Sequence, residues 1–270
     1  MTLLITGASG FVGTGLRREL AATGQRLRLF VRTPLAEIGT NEEQAVGDIA
    51  DAAAVRRAME GASAVIHLAG CTTDAGIEDQ IDGNIRGAFN VYEAARQCGV
   101  ERVVFASSNH VVGYYPRRRR IGSDVLVRPD SRYGLTKAFG EQAGAMYADK
   151  YGLRVLCIRI GNVNDRPIDR RRLALWLSWR DLAQLVDIGL THPTLRFAVV
   201  YGVSGNDRSF YDNQVAFNLG YKPQDNAEDH AADIVASSAT EDATLPGTLA
   251  MGGEFANNEF VGPSARLFEW

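Results

Sequence analysis

In the stretch SRYGLTKAFGE, residues 131–141, a phenol and an ammonium stand four positions apart, Tyr133 and Lys137. On a helix that spacing puts both on one face. An ammonium beside a phenol can hold it partly ionised, and an ionised phenol is a base. The spacing alone is common by accident and fits two surface residues equally well. Upstream, FASSNHVVGYYP places Ser107 and Ser108 at the end of an apolar run. Ser108 precedes Tyr133 by 25 residues, so strand, loop and helix start can bring the two over one substrate oxygen.

The elements that must position these side chains are legible as an alternation. Apolar runs of strand length lie at 3–6, 27–31, 64–70, 102–108 and 154–161, and RFAVVYGV reads as another strand. Helical patterns fall between them at 11–22, 51–60, 80–98 and 133–151, and ALWLSWRDLAQLVDIGL reads as one further helix. Continuous apolar strands separated by helices predict a parallel sheet covered on both faces. The fold class is therefore α/β, a Rossmann-type doubly wound parallel sheet with a small C-terminal substrate-binding cap. With no repeat and no linker, residues 1–270 read as a single domain, 1–160 the core and 161–270 the substrate-binding portion.

Composition excludes several classes. The 29 basic and 32 acidic residues leave a net charge of -3, which argues against nucleic acid as a partner. The arginine run in PRRRRIG lacks interleaved aromatics and reads as a solvated loop. No apolar run reaches the roughly 18 residues of a membrane span, and MTLLITGASG lacks the features of a signal peptide. Three scattered cysteines, Cys71, Cys98 and Cys157, suggest neither disulfides nor a metal site. A cytoplasmic protein is expected.

TGASGFVG sets Gly7, Gly10 and Gly13 directly after the first strand. Glycines there permit a tight turn and close backbone approach to a pyrophosphate, which the helix N-terminus attracts. The end of the second strand normally carries an acid that binds the adenosine ribose and repels a 2′-phosphate. Here that place holds Val31, followed by Arg32. NADP, or use of both NADP and NAD, is thus favoured over strict NAD use. Asp48 in VGDIAD can meet the adenine amino group, or cap the helix beginning near Asp51.

The ordered set TGASGFVG, HLAG, the asparagine of DGNIRGAFN, SSNH and YGLTK resembles the extended short-chain dehydrogenase/reductase family over roughly residues 1–160. That resemblance implies Tyr133 as acid/base, Lys137 lowering the phenol's pKa and binding the nicotinamide ribose, and Ser108 orienting the substrate oxygen. It implies a dinucleotide held by Gly7, Ser9, Gly10, Phe11, Val12 and Gly13 of the loop, and by Arg32, Asp48 and Ile49. Leu68, Ala69 and Gly70, with Asn84, Tyr133 and Lys137, complete that set. Asn84 is expected to be more structural than chemical. Relatives often pair through the helices at 80–98 and 133–151, so a homo-oligomer is implied.

Dehydratases of the family carry an acidic pair after the serine, where this chain has Asn109 and His110, and nucleotide-sugar epimerases carry a larger cap. The closer resemblance is to uronate dehydrogenases and related sugar C1 dehydrogenases, through FASSNHVVGYYP, RPDSRYGLTKAFGE, IRIGN, WLSWRD, VVYGVSGND and LGYKPQDNAE. It implies hydride transfer from C1 of an acidic sugar, giving an aldonolactone. It also implies a substrate site of Thr72, Ser108, Asn109, His110, Tyr133, Asn162, Arg171 and Phe255. Arg171 matches the arginine aimed at the sugar carboxylate, a task suited to its planar fork. Arg170 and Arg172 beside it, Asn162 and Thr72 in place of serines, and Val31 in place of an aspartate depart from the pattern. A sugar 6-phosphate or 6-sulfoglucose is the rival substrate, and a non-catalytic NADP sensor the rival class.

Overall fold

The computed structural model describes residues 2–72, 75–238 and 242–269. Strands β1 (Thr2–Thr6), β2 (Arg26–Val31), β3 (Glu42–Val46), β4 (Ala64–His67), β5 (Arg102–Ser108), β6 (Arg154–Ile160) and, after a two-residue ladder of β7 (Asn162–Val163) and β8 (Trp176–Leu177), β9 (Phe197–Gly202) are present. The main sheet runs β3-β2-β1-β4-β5-β6-β9, and every pairing in it is parallel. Helices α1 (Phe11–Ala21), α2 (Ala52–Met59), α3 (Ile77–Gln80), α4 (Gly87–Gln97), α5 (Arg132–Tyr151), α6 (Arg172–Leu175) and α7 (Trp179–Thr191) make the crossovers and the entry to the last strand.

Alternation along each strand builds two cores. Leu3, Ile5, Leu27, Leu29, Ile66 and Leu156 point to one face, under Leu16 and Leu20 of α1 and Leu182, Leu185 and Val186 of α7. Leu4, Phe30, Val65, Val103, Phe105 and Val155 point to the other, under α2, α4 and α5. Each fully buried aliphatic or aromatic side chain stabilises the fold by about 1.5–3 kcal/mol relative to exposure. Strand order reverses between β1 and β4, so a crevice opens at their carboxyl ends, the place where ligands bind in such sheets.

Two expectations are corrected. Strand β3 was not foreseen, because its EEQAV is charged and only half-buried, as suits a sheet edge. Ala174 and Leu175 end α6, but residues 176–178 are not helical as expected. Trp176 pairs with Asn162 in the β7–β8 ladder, and the Ser178 side chain then caps α7 by accepting from the Asp181 amide. That ladder closes a loop over residues 164–175, and the loop carries Arg171 back toward the sheet edge.

Candidate active site

The crevice begins at the β1–α1 turn. Gly7 has φ 69°, and a Cβ there would stand 2.6 Å from the Ala69 amide nitrogen, so only glycine lets β1 and the β4 loop meet so closely. Gly10 caps α1 without a side-chain hydrogen bond, and the first turn carries no acid. The amides of that turn are thus left to an incoming anion. A cavity of about 560 Å³ lies there, walled by Gly7, Ser9 and Gly10, by Arg32, Asp48 and Ile49, and by Leu68, Ala69 and Gly70. Its size and its bare helix N-terminus suit a dinucleotide. Asp48 faces it, while Asp51 performs the capping of α2. Below the floor, the Thr6 hydroxyl accepts from the Ala69 amide and meets buried His67 Nδ1 at 2.7 Å. Burial holds that imidazole neutral, its pKa pushed down to about 3.

Asn84 stands on a π-helical turn, Ile81–Arg86, between α3 and α4. Its oxygen accepts from the Cys71 amide and its nitrogen donates to the Cys71 carbonyl and to Thr136. With its amide so engaged and its side chain buried, it braces the Gly70–Cys71 backbone rather than facing the crevice.

A second cavity of about 400 Å³ continues from the first past Phe11, Val12, Gly13 and Thr72 to Ser108, Asn109, His110, Tyr133, Lys137 and Phe255. Ser108 ends β5, and Tyr133 and Lys137 lie in the first turns of α5, which Ser131 caps by accepting from the Gly134 amide. The expected trio is therefore brought together. Lys137 Nζ lies 5.8 Å from the Tyr133 ring centroid and donates to the Ala106 carbonyl at 3.0 Å. Its burial lowers its own pKa to about 8.

Burial raises the Tyr133 pKa above its ordinary value, and the opposing influence is a hydrogen bond with Ser108.

Beyond Phe255 lies a third cavity, about 410 Å³, sharing Asn109, His110, Gly161 and Phe255 with the second and reached by Asn162 and Arg171. Phe255 stacks on His110, centroids 3.9 Å apart and planes 15° apart. Arg171 is only 9% exposed and makes no ion pair with a carboxylate among the described residues. Its Nε donates to the Met251 carbonyl at 2.8 Å. With the Asn109 amide turned to match its surroundings, Asn109 accepts from Arg171 Nη2 at 3.1 Å and donates to the Ile160 carbonyl. Burial and the positive charges of Arg172 and Arg117 lower the Arg171 pKa to about 10. Gly253, at φ 68°, lets the tail pass 2.6 Å from Arg171 Nε, measured from where a Cβ would sit. Among the described residues, Asn162 Oδ1 is buried without a hydrogen-bond partner.

The arginines beside Arg171 are otherwise engaged: Arg172 pairs with Asp169, and Arg170 donates to the Val235 carbonyl. The PRRRR run is not uniformly solvated. Arg118 and Arg119 are exposed over aromatic rings, but Arg117 turns inward to donate to the carbonyls of Gly247 and Ala250. The residue that sequence reasoning missed is Asp130. Its carboxylate, 3% exposed, meets His110 Nδ1 at 2.7 Å. The DS dipeptide before α5 signals only a helix start, which Ser131 alone explains.

The sequence profile of the family described as "NAD dependent epimerase/dehydratase family" matches residues 3–166. A uronate dehydrogenase of Pseudomonas putida is 43% identical over 255 residues, 94% of this chain and 95% of that protein. An NAD-dependent glucose-6-phosphate dehydrogenase of Haloferax volcanii is 36% identical, covering 83% of this chain and 94% of that one. Among solved structures, the uronate dehydrogenase of Agrobacterium tumefaciens superposes with a TM-score of 0.91 at 41% identity, covering 95% of this chain and 97% of that one. A variant of it solved with NAD gives 0.92 at 40% identity, covering 96% and 98%.

Proposed function

The chain belongs to the NAD dependent epimerase/dehydratase family, and from that premise we propose that it oxidises C1 of a free hexuronate to the aldonolactone. The observation that carries this reading is Arg171: a buried guanidinium, without a carboxylate partner among the described residues, at the far end of the cleft from Ser108 and Tyr133. A hexuronate laid along that cleft sets its C6 carboxylate on the guanidinium fork and its C1 at the phenol. Its relatives named as uronate dehydrogenases, 41–43% identical over 94–95% of this chain, support it.

The nicotinamide dinucleotide, when bound along Gly7–Gly13 and Arg32, supplies the hydride acceptor. Tyr133 takes the proton of the C1 hydroxyl as the C1–H bond breaks, and Ser108 holds the same oxygen. Lys137 and the amides of Gly10–Gly13 hold the ribose and phosphates. Asn109 and His110 meet ring hydroxyls, Asn162 Oδ1 accepts from one, and Phe255 covers the sugar. Thr72 borders the same space.

The Haloferax relative favours a sugar 6-phosphate as a second reading. Arg172, paired with Asp169, and Arg117, which donates to the Gly247 and Ala250 carbonyls, border the same cavity, so Arg171, without a carboxylate partner among the described residues, is the guanidinium best placed for the single charge of a carboxylate. Among the described residues no helix is long and apolar enough to cross a membrane, and the three thiols are free. The reading further takes the enzyme to work in a reducing cytoplasm, folded as one unit, with copies pairing through α4 and α5 as extended short-chain dehydrogenases often do.

The test is dinucleotide reduction with glucuronate, galacturonate, glucose 6-phosphate, 6-sulfoglucose and glucose, each with NAD and NADP. Uronates should give the highest kcat/KM. Equal values for glucose and glucuronate would overturn the reading.

A further inference from the structure

We propose that Asp130 is a positioning residue, which fixes His110 with its proton on Nδ1 so that Nε2 presents a lone pair to a sugar hydroxyl. The inference rests on the reading of the cleft as a sugar site. His110 Nδ1 lies 2.7 Å from Asp130 Oδ2, and an ionised carboxylate can only accept, so the nitrogen must donate. The other carboxylate oxygen accepts from the Ser131 hydroxyl at 2.9 Å. The Asp130 amide donates to the His110 carbonyl, so the two residues are tied at backbone and side chain alike. With one ring nitrogen held by Asp130, the other is the one left for the cleft. His110 borders both the cavity at Tyr133 and the cavity at Arg171.

The carboxylate has little room to move. A Cβ on either Gly113 or Gly252 would overlap it, each 1.8 Å from Oδ2. Gly252 donates its amide to the Gly113 carbonyl, and Met251 donates to Tyr115, so the tail is stitched to the loop behind His110. From the same tail Phe255 stacks on the imidazole and Met251 accepts from Arg171. One buried acid thus sets the imidazole, while the segment packed on it sets both the ring's cover and the anion-binding guanidinium. A carboxylate that fixes the tautomer of a functional histidine is a general device.

Two measurements test this. Nitrogen-15 NMR of the free wild-type chain should show the His110 ring proton on Nδ1 and none on Nε2. A proton on Nε2 would overturn the proposal, and no variant or substrate is needed to see it. Second, Asp130→Asn, whose amide can donate to Nδ1 and reverse the tautomer, should lower kcat/KM for the uronate by about tenfold to a hundredfold. The KM for the dinucleotide should stay unchanged. In a His110→Ala background the same substitution should change kcat/KM less than threefold, because positioning an absent ring does nothing. An undiminished loss there would make Asp130 merely structural and sink the idea. Should no uronate be turned over by the wild type, the substrate reading fails, while the NMR result still decides the role of Asp130.

Discussion

Replacing Arg171 with methionine should impair binding while leaving the free enzyme slightly more stable. The guanidinium is desolvated and meets no carboxylate among the described residues, and its pKa falls from its ordinary value to about 10. At about 1.4 kcal/mol per tenfold change in proton affinity, that fall corresponds to a net penalty of about 3 kcal/mol from burial and from the neighbouring positive charges. Methionine removes the penalty but orphans two acceptors, the Met251 carbonyl and the Asn109 oxygen. At about 1 kcal/mol each, they return about 2 kcal/mol. A net gain of about 1 kcal/mol remains, or a Tm about 2–4 °C higher for a chain of this size. Toward a uronate the sign reverses, because the sugar carboxylate loses a buried bidentate partner. About 2–5 kcal/mol should disappear, on the order of thirtyfold to several thousandfold in kcat/KM. Thermal unfolding with and without glucuronate, and steady-state rates on glucuronate and glucose, read both effects. A Tm that falls by more than about 5 °C, or equal losses on both sugars, would refute the account of Arg171 as an anion clamp held at a cost to folding.

Tyr133→Phe should lower kcat by about 10²–10⁴-fold while dinucleotide binding, followed by titration calorimetry, persists. Retained turnover would remove the phenol from the chemistry. Arg32→Asp should shift the NADP-to-NAD preference toward NAD by about a hundredfold, through lost attraction and added repulsion at the 2′-phosphate. Unchanged KM values for both would place Arg32 away from the ribose. Lys137, with a folded pKa of about 8, gives up its proton earlier in the folded chain than in the unfolded one. Between that value and the ordinary lysine value of about 10.4 the unfolded chain holds more protons, so this group makes stability rise with pH. From pH 7.5 to 9.5 the wild type should gain about 2 kcal/mol relative to Lys137→Met. Parallel pH–Tm curves for the two would mean that the ammonium is not desolvated.

What was legible in the sequence followed from local order. Unbroken apolar strands, the glycine turn and the helices between them fixed the parallel sheet, because each signal spans a few residues and each strand is buried on both faces. Strand β3 escaped because edge burial leaves no apolar run to read. The false helix over residues 176–178 arose because a buried two-residue ladder and a helix face are equally apolar. Only Ser178, a serine inside an apolar stretch with an acid three residues on, marked the true start of α7.

The site divides along the same line. Ser108, Tyr133 and Lys137 ride on elements whose order fixes their meeting, so motif and spacing sufficed. The rest of the cleft is assembled by contacts between residues far apart in sequence. Arg171 meets the Met251 carbonyl 80 residues away, Arg117 meets Gly247 across 130, and Asp130 meets His110 across 20. None of these has a periodicity, because a single buried hydrogen bond constrains one pair of atoms and leaves the intervening sequence free. The charge balance on the phenol is not legible in the sequence for a related reason. Spacing on a helix reports that an ammonium is near, but not that the same burial which brings it near also strips it of water and hands it to the Ala106 carbonyl. Proximity can be read from sequence, whereas the strength of an interaction depends on what else the fold places around it.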